Sequence, residues 1–548
     1  MSVNEEFDEI IEKHFWSLIE RHPEIATFLG IHKYDDKLPS GKIELLEKDV
    51  KEALKLADEI KGLDYNLLDD RRKVDYDLVL RAVDAQVFFY KDLPLWRRFP
   101  EAIETIGSSV FMVLVNERLP LEHKVKSVVG RVDEASRFLV ESKERLTDPV
   151  RIYLDIGLEM GKGLALMFQT LPKLIETLGV EVVGIDKTCE KAHNTLLDYL
   201  RWLEELKENA RREYAIGREN FEKILKFRGI PYACEELLKI GETYLNTYRN
   251  EVTKIISRLG YRDVDEAITQ LKNEYPKNFE DIMKTYKSFV EEAKQFIQKV
   301  NFAPIPKGEN VKVIETPIYM RPTIPFAAYI PPGKFEKEQV GVFLVTPPES
   351  EEKFKEHNIY SINNTVVHEA YPGHHLQLVW FNKHPSLVRL LAYNMSTELT
   401  EGWAHYCEEA IREEGFYNTD KHRLIVLLDA IWRAVRVIVD VKLHIGEMSF
   451  EEAVEMLVKE SKMSREGAIS EVKRYTYTPT YQLAYLIGKH LIKELENEVR
   501  DILKEKYSKG LFHKLILEEG MLPFDMLREV VLNKAKKYVN MWRSGFEV

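Results

Sequence analysis

The residues best suited to chemistry lie in the run TVVHEAYPGHHLQ, from Thr365 to Gln377. Two neutral imidazoles can hold one metal ion, and a carboxylate beside them can activate water. His368 and Glu369 supply the first imidazole and the candidate base. In the plain HExxH arrangement the second histidine follows four residues after the first and shares its helix face, because each residue turns the helix by about 100°. Here the following histidines are His374 and His375, six and seven residues on. On an ideal helix His374 would sit roughly 9 Å along the axis and point elsewhere, while His375 would share the face about 10 Å away. Pro372 removes a helix hydrogen bond and crowds the preceding turn, and Gly373 tolerates unusual dihedrals. Together they can host a bulge or kink that absorbs two residues. That places His374 as the second ligand. His375 is the alternative ligand, or else a group beside the ligands or the substrate. Val366 and Val367 suggest a buried helix, where a glutamate and histidines need partners that a metal would supply. The plainer reading is a set of histidines at the end of a surface helix.

A third ligand is sought on a later helix. In TELTEGWAHYCEE, Thr397 to Glu409, Glu401 stands at a suitable distance downstream. Glu398 and His405 flank it at i−3 and i+4 and could support it. A solvated acidic face is the simpler alternative, although Trp403 and Tyr406 argue against full exposure. Between Arg433 and His444, the residues Arg436, Asp440 and His444 recur every four positions, a pattern that intrahelical ion pairing also explains. Between Arg474 and Gly488, tyrosines cluster around a proline. A tyrosine hydroxyl can stabilise the oxyanion of a tetrahedral intermediate. Tyr485 is the preferred donor and Tyr477 the second candidate, although tyrosines are equally at home in cores.

These groups must be carried on helices. The first 300 residues read as helix after helix: Phe7, Ile10, Ile11, Phe15, Leu18 and Ile19 keep helical spacing, as do Ile282, Tyr286, Phe289, Ala293, Phe296 and Val300. The breaker-rich NFAPIPKGEN from Asn301 suggests a boundary. Val311–Ile314 and Val340–Thr346, rich in β-branched residues, are the strand candidates. Helical patterning resumes after Glu349. The expected fold is mainly α, with two helical halves (1–300 and 301–548) around a deep cleft and a small sheet beside the metal site. The strand Val340–Thr346 could pair with an extended substrate backbone. The GLEMGKG run from Gly157 to Gly163 lacks the spacer and the Ser/Thr of a phosphate loop, and no GxSxG elbow occurs.

The chain has 548 residues, 45% hydrophobic and 31% charged, a composition that supports a large core and argues against disorder. A net charge of −12 disfavours nucleic acid as a partner. No stretch approaches the roughly 18 apolar residues of a membrane span, and the acidic opening MSVNEEFDEI is unlike a secretory signal. A cytoplasmic setting is expected. Cys189, Cys234 and Cys407 suggest no disulfide framework. Abundant Glu, Lys, Arg, Ile and Tyr fit a thermophilic source.

The ordered motifs HEAYPGHHLQ, EGWAHY, RVIVDVKLHIG and RYTYTPTYQLAYLIG, with the opening PEIATFLGIHKYD from Pro23, resemble the prokaryotic family catalogued as domain of unknown function 885. Its members look like glutamate-zincin metallopeptidases, similar in helical architecture to carboxypeptidase Taq and thimet oligopeptidase, in which a deep channel runs between two helical halves. The resemblance implies Zn2+ on His368, His374 and Glu401, with Glu369 as base. The expected activity is zinc-dependent hydrolysis of short peptides. A zinc hydrolase of small amides or acylated amino acids, and a non-catalytic helical binding protein, are the alternatives.

Overall fold

Residues 2–317, 321, 324 and 326–543 are described by the computed structural model. The molecule is mainly α with one small sheet, as its patterning implies. It divides into two compact units, the first running to Tyr214 and including Gly333–Lys337, the second comprising the rest.

The first unit contains α1 (Val3–Arg21), α2 (Pro23–Phe28), α3 (Ile43–Lys61), α4 (Asp70–Val87), α5 (Glu101–Val115), α6 (Leu121–Ser142), α7 (Arg151–Thr177) and α8 (Ile185–Leu206). Ser2 caps α1 reciprocally with Glu5, and the α1 stripe Phe7, Ile11, Phe15 and Ile19 is buried, so the local signal and the packing agree. Ile106, Val110, Val132, Leu154, Phe168 and Leu196, from α5 to α8, form the centre of the core.

The second unit begins with α9 (Arg218–Phe227), α10 (Cys234–Leu259), α11 (Val264–Lys272) and α12 (Phe279–Lys299). The strands β1 (Glu309–Glu315), β2 (Ala327–Ile330) and β3 (Gln339–Val345) follow. Next come α13 (Glu351–Glu356), α14 (Ile359–Glu369), α15 (His374–Lys383), α16 (Val388–Leu391), α17 (Thr397–Glu413) and α18 (Asp420–His444). The last are α19 (Phe450–Ser461), α20 (Arg465–Tyr477), α21 (Ala484–Leu503), α22 (Lys509–Leu517) and α23 (Phe524–Arg543). The division falls at Tyr214 rather than near residue 300, because α10 packs along α18 and α12 along α14. A breaker-rich segment marks a change of secondary structure at Asn301, not a change of core.

α18 is buried all round from Arg433 to Val441, with Val435, Val437, Ile438, Val439 and Val441 enclosed beside the charged Arg436 and Asp440, as befits a central helix. α17 and α21 pack closely at Gly402 and Gly488. A Cβ on Gly488 would overlap the Glu398 carbonyl, and one on Gly402 would overlap the Gly488 backbone. The sheet has the order β1-β3-β2, with β1 parallel and β2 antiparallel to β3. Over Val342–Val345 both edges of β3 are therefore occupied, which corrects the expectation that this strand receives a substrate backbone. Among the described residues the outer edges belong to β1 and β2.

Candidate metal centre

α14 starts at an Asn358 cap that accepts from the Ser361 N–H and ends on His368 and Glu369. The two extra residues are absorbed by a complete break rather than by a kink within one helix. The Gly373 N–H reaches back to the Val367 carbonyl at 3.0 Å, and a Cβ on Gly373 would overlap the His368 carbonyl. Only glycine permits that approach. The Pro372 carbonyl accepts from Trp403 Nε1 at 2.8 Å, pinning the break to α17. α15 then opens with His374.

This geometry brings the His368 and His374 rings to 4.8 Å between centroids at 89°. With Glu401 from α17, their donor atoms all lie within 4.8 Å of one another. Among the described residues no other group of histidine, cysteine or acidic side chains is spaced this way. Glu401 Oε2 is 3.5 Å from His374 Nε2, and Oε1 accepts from the Tyr481 hydroxyl at 2.6 Å. Burial opposes ionisation of Glu401, but His374, His368 and Tyr481 outweigh it and hold the carboxyl at about 2.

His368 Nδ1 faces Glu408 Oε1 at 2.7 Å. Burial would raise the Glu408 carboxyl, yet Arg433 and the hydrogen bond with His368 hold it well below its ordinary value. An ionised carboxylate can only accept, so Nδ1 donates, and in the neutral ring that tautomer leaves the lone pair on Nε2. Asn364 Nδ2 donates to Glu408 Oε2 at 3.2 Å and to Asp429 at 2.8 Å, fixing the arrangement. Nδ1 of His374 is buried without a hydrogen-bond partner among the described residues. Two imidazoles and an ionised carboxylate form a donor set suited to zinc, and the carboxylate behind His368 is the usual orienting partner.

Glu369 is half-buried and makes no hydrogen bond among the described residues; its charge acts on His374. His375 points away from the ligand group, since adjacent helical residues diverge by about 100°. It is wholly buried, with Nε2 at 2.6 Å from Glu309 Oε2 and Nδ1 at 2.7 Å from the Tyr329 hydroxyl. Lys294 lies 2.7 Å from Glu309 Oε1, and the Tyr371 hydroxyl also donates to Glu309. The expectation that His375 faces substrate is thereby corrected: both its ring nitrogens are used in joining α15 to the sheet.

Tyr485 stacks near His368, with ring centroids 6.4 Å apart, and burial pushes its hydroxyl up to about 12. Tyr477 ends α20, four residues before Tyr481. Arg436 lies 4.8 Å from the Tyr485 ring centre and donates from Nε to the Tyr475 hydroxyl at 2.9 Å. His444 has its Nε2 2.9 Å from the Tyr475 carbonyl and stacks on Phe221; that places it in the packing beneath the tyrosine segment and corrects its candidacy as a catalytic group.

Asp440 accepts from the N–H groups of Thr480 and Leu483, both at 3.2 Å, and holds the turn that presents Tyr481. Glu398 does not support Glu401. It pairs with Arg228 at 2.6 Å, and Arg228 in turn donates to Thr480 Oγ1 at 2.6 Å. His405 lies 3.5 Å from Glu408 and is kept neutral by burial, at about 3.

Sequence reasoning missed Glu408 and undervalued Tyr481. Glu408 follows Glu401 by seven residues, two helical turns on the same face, a spacing that could have found it.

A family profile described as "Bacterial protein of unknown function (DUF885)" matches residues 23–531. No curated protein matches the chain. It is similar to the structure of a candidate lipoprotein of unknown function from Shewanella oneidensis, at 20% identity and TM-score 0.78, covering 96% of this chain and 99% of that one. It is also similar to a candidate lipoprotein from Colwellia psychrerythraea, at 18% identity and TM-score 0.83, covering 98% and 100%. These likenesses concern the fold alone. A third structure, BsuCP, aligns at 11% identity and TM-score 0.38 over 98% and 99% of the two chains, too distant to bear on the fold.

Proposed function

The chain belongs to the bacterial DUF885 family, and on that footing we propose that it is a zinc-dependent peptidase acting on short peptides. One observation carries this reading: the donor atoms of His368, His374 and Glu401 converge within 4.8 Å, beside a Glu369 carboxylate that makes no hydrogen bond among the described residues. The peptide substrate class rests on the resemblance of this family's members to glutamate-zincin metallopeptidases, whose helical architecture is similar to that of carboxypeptidase Taq and thimet oligopeptidase.

A zinc ion on His368, His374 and Glu401 would supply Lewis acidity toward a carbonyl oxygen and a water. Glu369 accepts the proton of the attacking water and returns it to the nitrogen of the leaving amine. The Tyr485 hydroxyl stays protonated, with its titration at about 12, and can donate to a developing oxyanion. Tyr481 holds Glu401, and Glu408 holds His368 in the tautomer that leaves Nε2 free. No helix among the described residues is long and apolar enough to cross a membrane. Three free, buried cysteines are compatible with the proposed cytoplasmic setting, which cell fractionation tests.

The deciding experiment measures bound metal and peptide-library cleavage on the pure protein. The reading expects one zinc per chain and cleavage abolished by a chelator and restored by zinc. Protein that binds no zinc, or that binds it and cleaves no peptide, sinks it.

A further inference from the structure

Two arginines stand one tyrosine away from the metal ligands and share a single carboxylate. Arg436 Nη2 donates to Glu471 Oε2 at 3.1 Å, and Arg474 Nη2 donates to the same oxygen at 2.9 Å. The Arg436 guanidinium lies 3.8 Å from the Trp432 ring centre, and its Nε is taken by Tyr475. Its side chain is 5% exposed, yet Nη1 has no hydrogen bond among the described residues and is not sealed from solvent. Nε1 of Trp432 also lacks an acceptor among the described residues. Glu471 neutralises one guanidinium, so the pair keeps one net positive charge and a surplus of donors.

That charge is adjacent to the candidate metal centre. The Tyr485 ring is 4.8 Å from the Arg436 guanidinium and 6.4 Å from the His368 ring. The Tyr481 ring is 5.9 Å from the Arg474 guanidinium, and its hydroxyl is 2.6 Å from Glu401. A guanidinium that keeps unengaged N–H donors can still give a charge-assisted hydrogen bond to a carboxylate oxygen. An extended peptide advances at most about 3.5 Å per residue, so a carboxylate at this pair lies about one to three residues from the metal ligands.

We infer that Arg436 and Arg474 form a subsite for a carboxylate of the bound peptide, so that peptide acids are preferred over their amides. The inference rests on the peptidase reading and narrows its substrate class. The carboxylate can come from the peptide C-terminus or from an acidic side chain.

The test uses the zinc-loaded full chain with N-acetylated tri- to hexa-alanine peptides as free acids, as C-terminal amides, and as amides carrying one glutamate. The free acid is expected to exceed the plain amide in kcat/KM by roughly 10- to 100-fold, the range of a charge-assisted hydrogen bond. Arg474→Gln, at a side chain one-third exposed, should bring acid and amide to the same rate. An advantage confined to the glutamate-bearing amides assigns the subsite to a side chain. Equal rates for all three forms in the unaltered protein overturn it. If no peptide is cleaved, the peptidase reading fails, and calorimetric binding of N-acetyl-trialanine and its amide decides the subsite. Acid-selective binding lost in Arg474→Gln upholds it, and equal binding overturns it.

Discussion

His374 and His375 are neighbours in the chain and serve opposite sides of α15: Nε2 of His374 lies 3.5 Å from Glu401, and Nε2 of His375 lies 2.6 Å from Glu309. One imidazole joins the candidate metal-ligand group and the other joins the sheet. Their substitutions therefore separate metal binding from stability.

His374→Ala should abolish tight zinc binding, since it leaves two protein ligands. His375→Ala should keep stoichiometric zinc and lower the unfolding free energy by about 1–3 kcal/mol, because the buried Glu309 and the half-buried Tyr329 lose a partner. Metal analysis and denaturant unfolding of both variants check this. The reverse pattern of metal loss would overturn the ligand assignment.

Glu369→Gln preserves size and removes the proton acceptor. Zinc content should be unchanged and kcat should fall by at least about 100-fold, the lower end for general base catalysis. Near-normal turnover would exclude Glu369 as the base.

Glu408→Gln should weaken zinc affinity by about 10- to 100-fold through loss of the orienting carboxylate behind His368. Competition with a calibrated chelator reads this directly. An unchanged affinity would mean that the packing of α14 alone sets the His368 ring.

The first unit carries a pH dependence of its own. Burial would lower His22, but hydrogen bonds to Asp49 at 2.7 Å and Glu24 at 3.0 Å prevail and raise it to about 9. Hydrogen bonds to Asp35 and Glu336 raise His32 to about 9. Both histidines bind protons more tightly folded than unfolded, where the value is 6.5. Their stabilisation is therefore fully present below pH 6.5 and is lost as pH rises through about 9. The unfolding midpoint should fall over that interval, and the paired His22→Gln and His32→Gln variant should flatten the fall. A midpoint that climbs with pH in the unaltered protein would contradict these shifts.

The stripes of α1 and α12 and the apolar runs of β1 and β3 were legible because burial on one face leaves a period in the sequence. β2 was not: its four residues, Ala327–Ile330, are all half-buried and leave no alternation. The helix break was foreseen as a distortion, but its form depends on the contacts of Gly373 with Val367 and of Pro372 with Trp403, which no local pattern encodes. Among the tyrosines, spacing alone could not say which hydroxyl meets Glu401. The Asp440 and Arg228 contacts that hold Thr480 decide it, and both come from distant parts of the chain.

The glycine contact between α17 and α21 has a consequence for the groups beside it. Glu401 precedes Gly402, and Tyr485 is three residues before Gly488, so both are carried where their two helices cannot move closer. The separation of that carboxylate from that tyrosine is thus set during folding. An alanine at either glycine should push the helices apart and displace Glu401 from Tyr485 before it unfolds the chain.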